Sequence, residues 1–540
     1  MASTSSDRFD FIVVGAGAAG AILASRLART KKQPSVLLVE AGGDNASKDV
    51  RADAERWIHR MNPATNWGYK TTPIKGFDGN TVDYDRGKGL GGSTAINFSV
   101  WTIGPKDDHD KLAQLVGDDE WKWENAHERY KRLENYRYEV PKEYETYLKP
   151  RDGDHGHDGP VKVGFPNVWE QSAKTMMDIW IANGTKFIPD HNGGDPVGLA
   201  VSFSTAVGGV RSTSADALAD APSNLHILVN TEVLRVKFDD KKAVAIETAD
   251  GGEIYANNEI ILSGGSLDTP RVLMHSGIGP ADQLNKFSIP ILKANENVGQ
   301  NLMDHHHIMM GYERADHTST RRAYYSSPEA QAAARQQWSK DGSGPLSEIA
   351  TTLGIGYLKA DSLLESAEFK DLPADDQEFL RKPTVPHYEI ILNAAHIPHY
   401  IDPNSPAGAT IFVFNLNEHS KGEVTLQSSD PKVPLLFNPN FFSHPFDKRA
   451  AIEGTREVLK VINSPEFQKD TIAVQEAPKS DSDEDILDFW KRTSGSTWHM
   501  TGTAKMGKNE DEAVVDRNFK VFGLEKLRVA DMSVIPIIAK

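Results

Sequence analysis

The chain contains no cysteine. That absence excludes disulfide frameworks, thiolate nucleophiles and cysteine-ligated zinc or iron–sulfur centres. Basic residues are the minority sign: 60 Lys and Arg against 76 Asp and Glu leave a net charge of −16. A surface of that sign repels nucleic-acid phosphates and anionic bilayers, so neither is expected as a partner. No apolar run approaches the ~18 residues that a spanning helix requires. The polar opening Met1–Arg8 leads into Phe9–Val14, an apolar stretch broken by glycine too soon for a signal-peptide core. A cytoplasmic protein is the plain expectation, although a secreted one trimmed of its leader would read the same. No G-x-S-x-G elbow occurs, which argues against a serine hydrolase.

What is present describes a folded chain with large cores. Its 540 residues correspond to about two to four domains at ~150 residues each. The first forty residues read as strand (Phe11–Val14), glycine turn (Gly15–Gly20), helix (Ala21–Thr30) and strand (Ser35–Val39). Residues 62–96 read as an extended loop and 121–136 as a surface helix. Strand-like runs follow at 226–229, 232–238 and 258–262. The charged stretch 362–388 reads as a peripheral insertion, 411–437 as sheet, 445–462 as a helix, and 527–531 as a last short strand ending in an acid.

Gly15-Ala-Gly17-Ala18-Ala19-Gly20 carries the first chemistry. In a strand–turn–helix the first glycine permits the tight turn, the second lets the backbone approach a pyrophosphate, and the third permits close helix–strand packing. The helix N-terminus adds oriented N–H groups and partial positive charge for the phosphates. Glu40 ends the second strand, where a carboxylate accepts from ribose hydroxyls and would repel a 2′-phosphate. The unit therefore reads as a dinucleotide site that disfavours NADP; NAD and FAD both satisfy it.

Arg86-Gly-Lys-Gly-Leu-Gly91-Gly92-Ser93-Thr-Ala-Ile-Asn97 narrows the choice. This motif, Gly264–Gly279, Asn297–His305, Ser494–Gly507 and the ending Val514–Pro536 together resemble the glucose–methanol–choline (GMC) family of FAD-dependent oxidoreductases. The resemblance spans nearly the whole chain. It implies an α/β protein with a Rossmann-like FAD-binding domain built from segments 1–165, 223–311 and 495–540. Residues 166–222 and 312–494 would form a substrate-binding domain with a largely antiparallel sheet.

It also implies FAD in an elongated site. Adenosine would lie near Glu40 and Ala41, with Val233 meeting the adenine through its backbone. Pyrophosphate would lie at Gly15, Gly17, Ala18, Ala19 and Gly20, and the flavin ring near Asn97, Phe98, Ser99, Val100 and His499. Trp67, Arg86, Gly91, Gly92, Ser93 and Asp531 complete the expected cofactor set. Some members attach FAD to a histidine just before the motif's Asn; Ile96 stands there, so dissociable FAD is expected.

His499 is the expected catalytic residue. An imidazole with a pKa near neutrality can take an alcohol proton, freeing the Cα hydride to move to flavin N5. The implied substrate is a primary alcohol, aromatic or furanic by likeness to the aryl-alcohol and hydroxymethylfurfural oxidase branch, with O2 or another acceptor reoxidising the flavin. Asp304-His305-His306-His307 invites a metal reading, but in an extended segment only His305 and His307 share a face, and no metal is expected. Most members carry a second His or Asn a little over forty residues after the first. Lys540 stands forty-one residues after His499, which puts that position just past the end of the sequence. That departure keeps open a non-redox family member that uses FAD structurally. A nicotinamide dehydrogenase is disfavoured by the Arg86–Asn97 motif.

Overall fold

The computed structural model describes residues 8–52, 59–137, 142–165, 171–319, 327–347, 354–393 and 408–540. Two sheets organise them. The first runs Leu225–Leu228, Val36–Val39, Arg8–Val14, Glu253–Leu262, Lys242–Thr248, Val233–Asp239, with Leu527–Val529 also pairing along Glu253–Leu262. The Arg8–Val14, Val36–Val39, Leu225–Leu228 and Leu527–Val529 pairings are parallel, and all four residues of Val36–Val39 are buried. That is why this strand reads as a continuous apolar run: a parallel strand covered on both faces has no solvent side.

The register of this sheet places the cofactor motifs. Val14 lies opposite Val39 and Leu262, and Leu262 opposite Val529. The segments that follow (Gly15–Gly20, Glu40, Ser263–Gly265 and Ala530–Asp531) therefore leave the sheet side by side. They form the crevice at the strands' carboxyl ends, where open α/β sheets bind ligands.

The second sheet is antiparallel and runs Gly354–Leu358, Tyr388–Asn393, Gly408–Asn415, His306–Arg314, Thr471–Glu476, with Gly495–Ser496 pairing to the start of His306–Arg314. Two of its members flank the active-site motifs: His306–Arg314 continues from Asp304-His305, and Gly495–Ser496 leads into Trp498-His499. Among the described residues no helix is long and apolar enough to cross a membrane.

Several sequence readings need correction. The first helix is Ala18–Ala28, capped by Gly17, so Gly20 lies inside its first turn. The helix read over 121–136 is Trp123–Lys131, and Glu134–Arg137 is instead a strand paired with Val161–Gly164. Helical spacing loses there because partners distant in sequence claim Glu134. The stretch 362–388 contains short helices (Asp361–Glu365, Ala367–Lys370, Ala374–Arg381) and then enters the middle of the second sheet at Tyr388. Strand Lys242–Thr248 escaped the reading, and 411–437 resolves into Gly408–Asn415, Gly422–Thr425 and Leu436–Asn438. Pro445–Ile462 is a helix as expected.

A buried charge cluster joins segments that are far apart in the chain. His155 Nε2 lies 2.9 Å from Asp190 and Nδ1 3.3 Å from Glu134, and Glu134 also accepts from Trp101 Nε1 at 2.7 Å. Burial alone would push this imidazole down, but the bonds to Asp190 and Glu134 outweigh it and raise it to about 9. The stabilisation is therefore complete below the ordinary value of 6.5 and is lost as pH rises through about 9. His155→Gln is expected to lower stability by about 3–5 kcal/mol, the cost of stranding a buried ionic partner. It should also flatten the alkaline fall in melting temperature. A wild-type melting temperature that does not change between pH 7 and 10 would contradict this.

Candidate active site

The cofactor end of the crevice is assembled by backbone. Gly15 has φ +99°, and a Cβ there would lie 2.5 Å from the Ser263 carbonyl oxygen. Gly92 has φ +50°, and its Cβ would lie 2.7 Å from the Gly17 Cα. Only glycine lets these two loops touch, and Gly91 N donates to the Ala16 carbonyl at 2.9 Å. Ser214, on neither motif, donates from Oγ to the Gly17 carbonyl at 3.1 Å. The helix that begins at Ala18 has no side-chain cap and no acid in its first turn. Its first N–H groups thus face the crevice without a competing side chain, which suits a pyrophosphate.

Glu40 does more than the sequence implied. Its carboxylate accepts from the backbone N–H groups of Ala16 (2.8 Å), Gly42 (2.9 Å) and Gly89 (3.0 Å). It therefore clamps three loops at once. Burial raises its pKa, and these three N–H bonds pull the other way. Two carboxylate oxygens offer about four acceptor sites, so three internal bonds leave one for a ribose hydroxyl. Thr231 N bonds the Glu40 carbonyl, which brings Val233 and Ala41 to the same end. Trp67 stacks on Tyr69 with ring centroids 5.8 Å apart and lines a cleft of about 520 Å³ with Glu232 and Arg271.

The glycine-rich turn is held by a residue that sequence reasoning missed. Buried Arg211 donates to Asn97 Oδ1 (2.5 Å), the Asn97 carbonyl (2.7 Å) and the Thr94 carbonyl (3.1 Å). Asn97 Oδ1 also accepts from Ser99 N at 3.0 Å, and Ser99 has φ +58°. Ser93 Oγ accepts from Gly87 N. Phe98 stacks on Trp498 at 5.9 Å, and Val100 packs on the aromatic cluster of the second sheet. Asp531 accepts from Gly265 N, Thr269 Oγ1 and Ser533 N, joining the late glycine signature to the last strand. Nothing local marks Arg211 in the sequence, because its partners lie over a hundred residues away.

His499 stands where these elements converge. Trp498 has φ +61°, a costly conformation for an aromatic residue, and four contacts enforce it. Its N donates to Ser496 Oγ (2.8 Å), its Nε1 to the Asp83 carbonyl (3.0 Å), its carbonyl accepts from Arg86 (2.7 Å), and Arg60 lies over its ring. Arg86 thus meets the site through Trp498. Asp304 accepts from His499 N (2.7 Å), Ser496 Oγ (2.5 Å) and Thr497 Oγ1 (3.3 Å), although burial pushes its own carboxyl up to about 6.

His305, considered above only as a metal ligand, lies with Nδ1 3.3 Å from His499 Nδ1. His306 faces Phe441, Phe442 and Trp490 on the opposite side of the strand from His307. Among the described residues no three His, Asp or Glu side chains converge as metal ligands.

The His499 ring is accessible, yet desolvation by the surrounding protein and the Arg86 guanidinium hold it below the ordinary imidazole range. The near-neutral pKa expected from its residue type is thereby corrected. His499 is a neutral acceptor at pH 7.

Known proteins share this chain's sequence and fold. The chain matches the GMC oxidoreductase family over residues 9–307 and again over 418–540, and it belongs to that family. It is 30% identical to a pyranose dehydrogenase of Agaricus xanthodermus, over 98% of this chain and 89% of that protein. It is also 30% identical to a pyridoxine 4-oxidase of Microbacterium luteolum, over 98% and 95%. A formate oxidase superposes with TM-score 0.90 at 28% identity, covering 99% of this chain and 95% of that one. The protein is a GMC oxidoreductase, and its cofactor is FAD. The uncapped helix at Ala18, the touching glycine loops and the remaining acceptor site of Glu40 fit that cofactor.

Proposed function

We propose that this protein oxidises a primary alcohol on an aromatic or furanic ring to the aldehyde, with His499 as the base. The observation that carries the reading is the tethered His305–His499 pair beside the stacked Phe98 and Trp498. When the two Nδ1 atoms share one hydrogen on the His499 side, His499 Nε2 is left as a lone-pair acceptor. That is the atom that takes the hydroxyl proton. Asp304 fixes the backbone of His499, Arg86 fixes the carbonyl before it, and the Phe98–Trp498 pair supplies a flat apolar wall for a ring. FAD, when bound, supplies the hydride acceptor, and O2 or another oxidant restores it.

The proposed cofactor residues are those read from the sequence, joined by Arg211 and Ser214. FAD is dissociable on this reading, because Ile96, packed with Val50 and Ala95, offers no atom for a covalent bond. The first sheet supports a cofactor domain over 1–165, 223–311 and 495–540. The second sheet supports a substrate domain over 166–222 and 312–494. Within these spans, residues 1–7, 53–58, 138–141, 166–170, 320–326, 348–353 and 394–407 lie outside those described.

An anaerobic mixture of the yellow protein with benzyl alcohol, 5-hydroxymethylfurfural or an aliphatic alcohol tests the reading. Bleaching of the flavin band near ~450 nm is expected with the ring alcohols first. Protein that stays yellow with all of them would favour a non-redox role.

A further inference from the structure

The second sheet presents a row of register partners to the site. Tyr357 pairs with Glu389, Glu389 with Phe414, Phe414 with His307, and His307 with Gly495. Partners in register project to the same face, and the next residues on that face are Ile355, Ile391, Phe412 and Met309. Val100, from the cofactor segment, packs against this cluster. The face is therefore an aromatic and aliphatic floor, with Phe412 and Phe414 stacked at 5.9 Å, interrupted by two polar groups.

Glu389 is 7% exposed, and among the described residues its carboxyl has neither a hydrogen bond nor an ion pair. His307 Nδ1 is likewise unpartnered within the described residues. Placing a carboxyl on an apolar face costs free energy, and among the described residues no donor or cation compensates it. Glu389 and His307 stand two strands apart, ~10 Å at the usual strand spacing. One six-membered ring with a substituent at each end spans that distance.

We propose that Glu389 is a specificity-determining residue that donates its carboxyl hydrogen to a ring nitrogen on the substrate's end remote from the alcohol. The ring lies over Phe412 and Phe414, and the CH–OH end points to His307 and His499. This rests on the function proposed above and narrows its substrate class to ring alcohols that carry such a nitrogen. Burial alone pushes the Glu389 carboxyl up to about 8, which keeps the hydrogen in place at pH 7. The other groups on this face do not titrate nearby: burial pushes His307 down to about 3 and His191 to about 4, and holds the Tyr357 hydroxyl well above its ordinary value.

The test is calorimetric titration of the FAD-loaded protein with two unreactive probes, isonicotinamide and benzamide, which differ only in the ring nitrogen. Wild type is expected to bind isonicotinamide about tenfold more tightly, the worth of one good hydrogen bond in a dry site. Glu389→Leu should abolish that preference, leave benzamide binding within about twofold, and raise the melting temperature by removing an unsatisfied acid. Glu389→Gln keeps a donor and should keep most of the preference. In wild type the preference should fall about fivefold between pH 7 and 9, and in Glu389→Gln it should not move.

Equal weakening of both probes, with a lower melting temperature, would make Glu389 structural and overturn the proposal, as would a wild type without preference. The binding readout separates the two readings. A preference in protein that no alcohol reduces would sink the proposed function alone, whereas reduction without a preference would sink this inference alone.

Discussion

His499→Ala is expected to slow flavin reduction by the best ring alcohol about 10²–10⁴-fold while the protein stays yellow. The rate falls because the imidazole held 3.3 Å from His305 through its Nδ1 is removed from the place where, on the proposed reading, the hydroxyl proton goes. FAD stays because Gly15–Gly20, Glu40 and Arg211 lie on other elements, and none of them bonds His499. Stopped-flow absorbance under anaerobic conditions reads the rate, and the ratio of flavin to protein absorbance reads retention. His305→Ala should produce a smaller loss and shift the pH profile of reduction, since it frees the His499 tautomer without removing the base. Undiminished reduction in His499→Ala would remove the histidine from the mechanism.

Glu40→Ala should produce the opposite pattern: nearly colourless protein that regains colour only at high added FAD. The substitution takes away the proposed ribose acceptor, and it also leaves the N–H groups of Ala16, Gly42 and Gly89 without their shared partner. Each buried donor left unmade costs about 1–3 kcal/mol. The three loops that form the cradle should then separate, and FAD retention should fall at least 100-fold by titration of the apoprotein. Glu40→Gln should not rescue it fully. A glutamine offers one acceptor oxygen, and its amide group would point N–H against N–H. Full flavin content in Glu40→Ala would mean that the carboxylate clamps nothing of consequence.

Much of this site was legible in the chain itself. Gly15, Gly17 and Gly20 carry their meaning locally, since a strand–turn–helix with those spacings has few other uses. Glu40 was placed by its distance from them, and His499 by the motif around it. The roles of other residues were not legible. Arg211 clamps Asn97 from 114 positions away, and Glu134 belongs to a strand, within a stretch whose spacing reads as helix, because His155 and Trp101 need its carboxylate. His305 read as a possible metal ligand because sequence adjacency to His306 and His307 suggested a cluster. In the sheet, alternate side chains part to opposite faces and His305 turns to His499 instead.

By itself, then, the sequence determined the chemistry that depends on residues close together along the chain: the glycine cradle, the absence of any thiol, the acid at the end of the second strand, and the histidine in its hydroxyl-rich setting. These follow from local backbone geometry, which a few neighbouring residues dictate. Only the tertiary structure decided which distant polar groups meet, that His499 is held below the ordinary imidazole range, and that Glu389 shares a sheet face with His307 and has no partner among the described residues. Burial, charge and strand register are sums over residues far apart in the chain, and they exist only once the sheets have closed around the crevice.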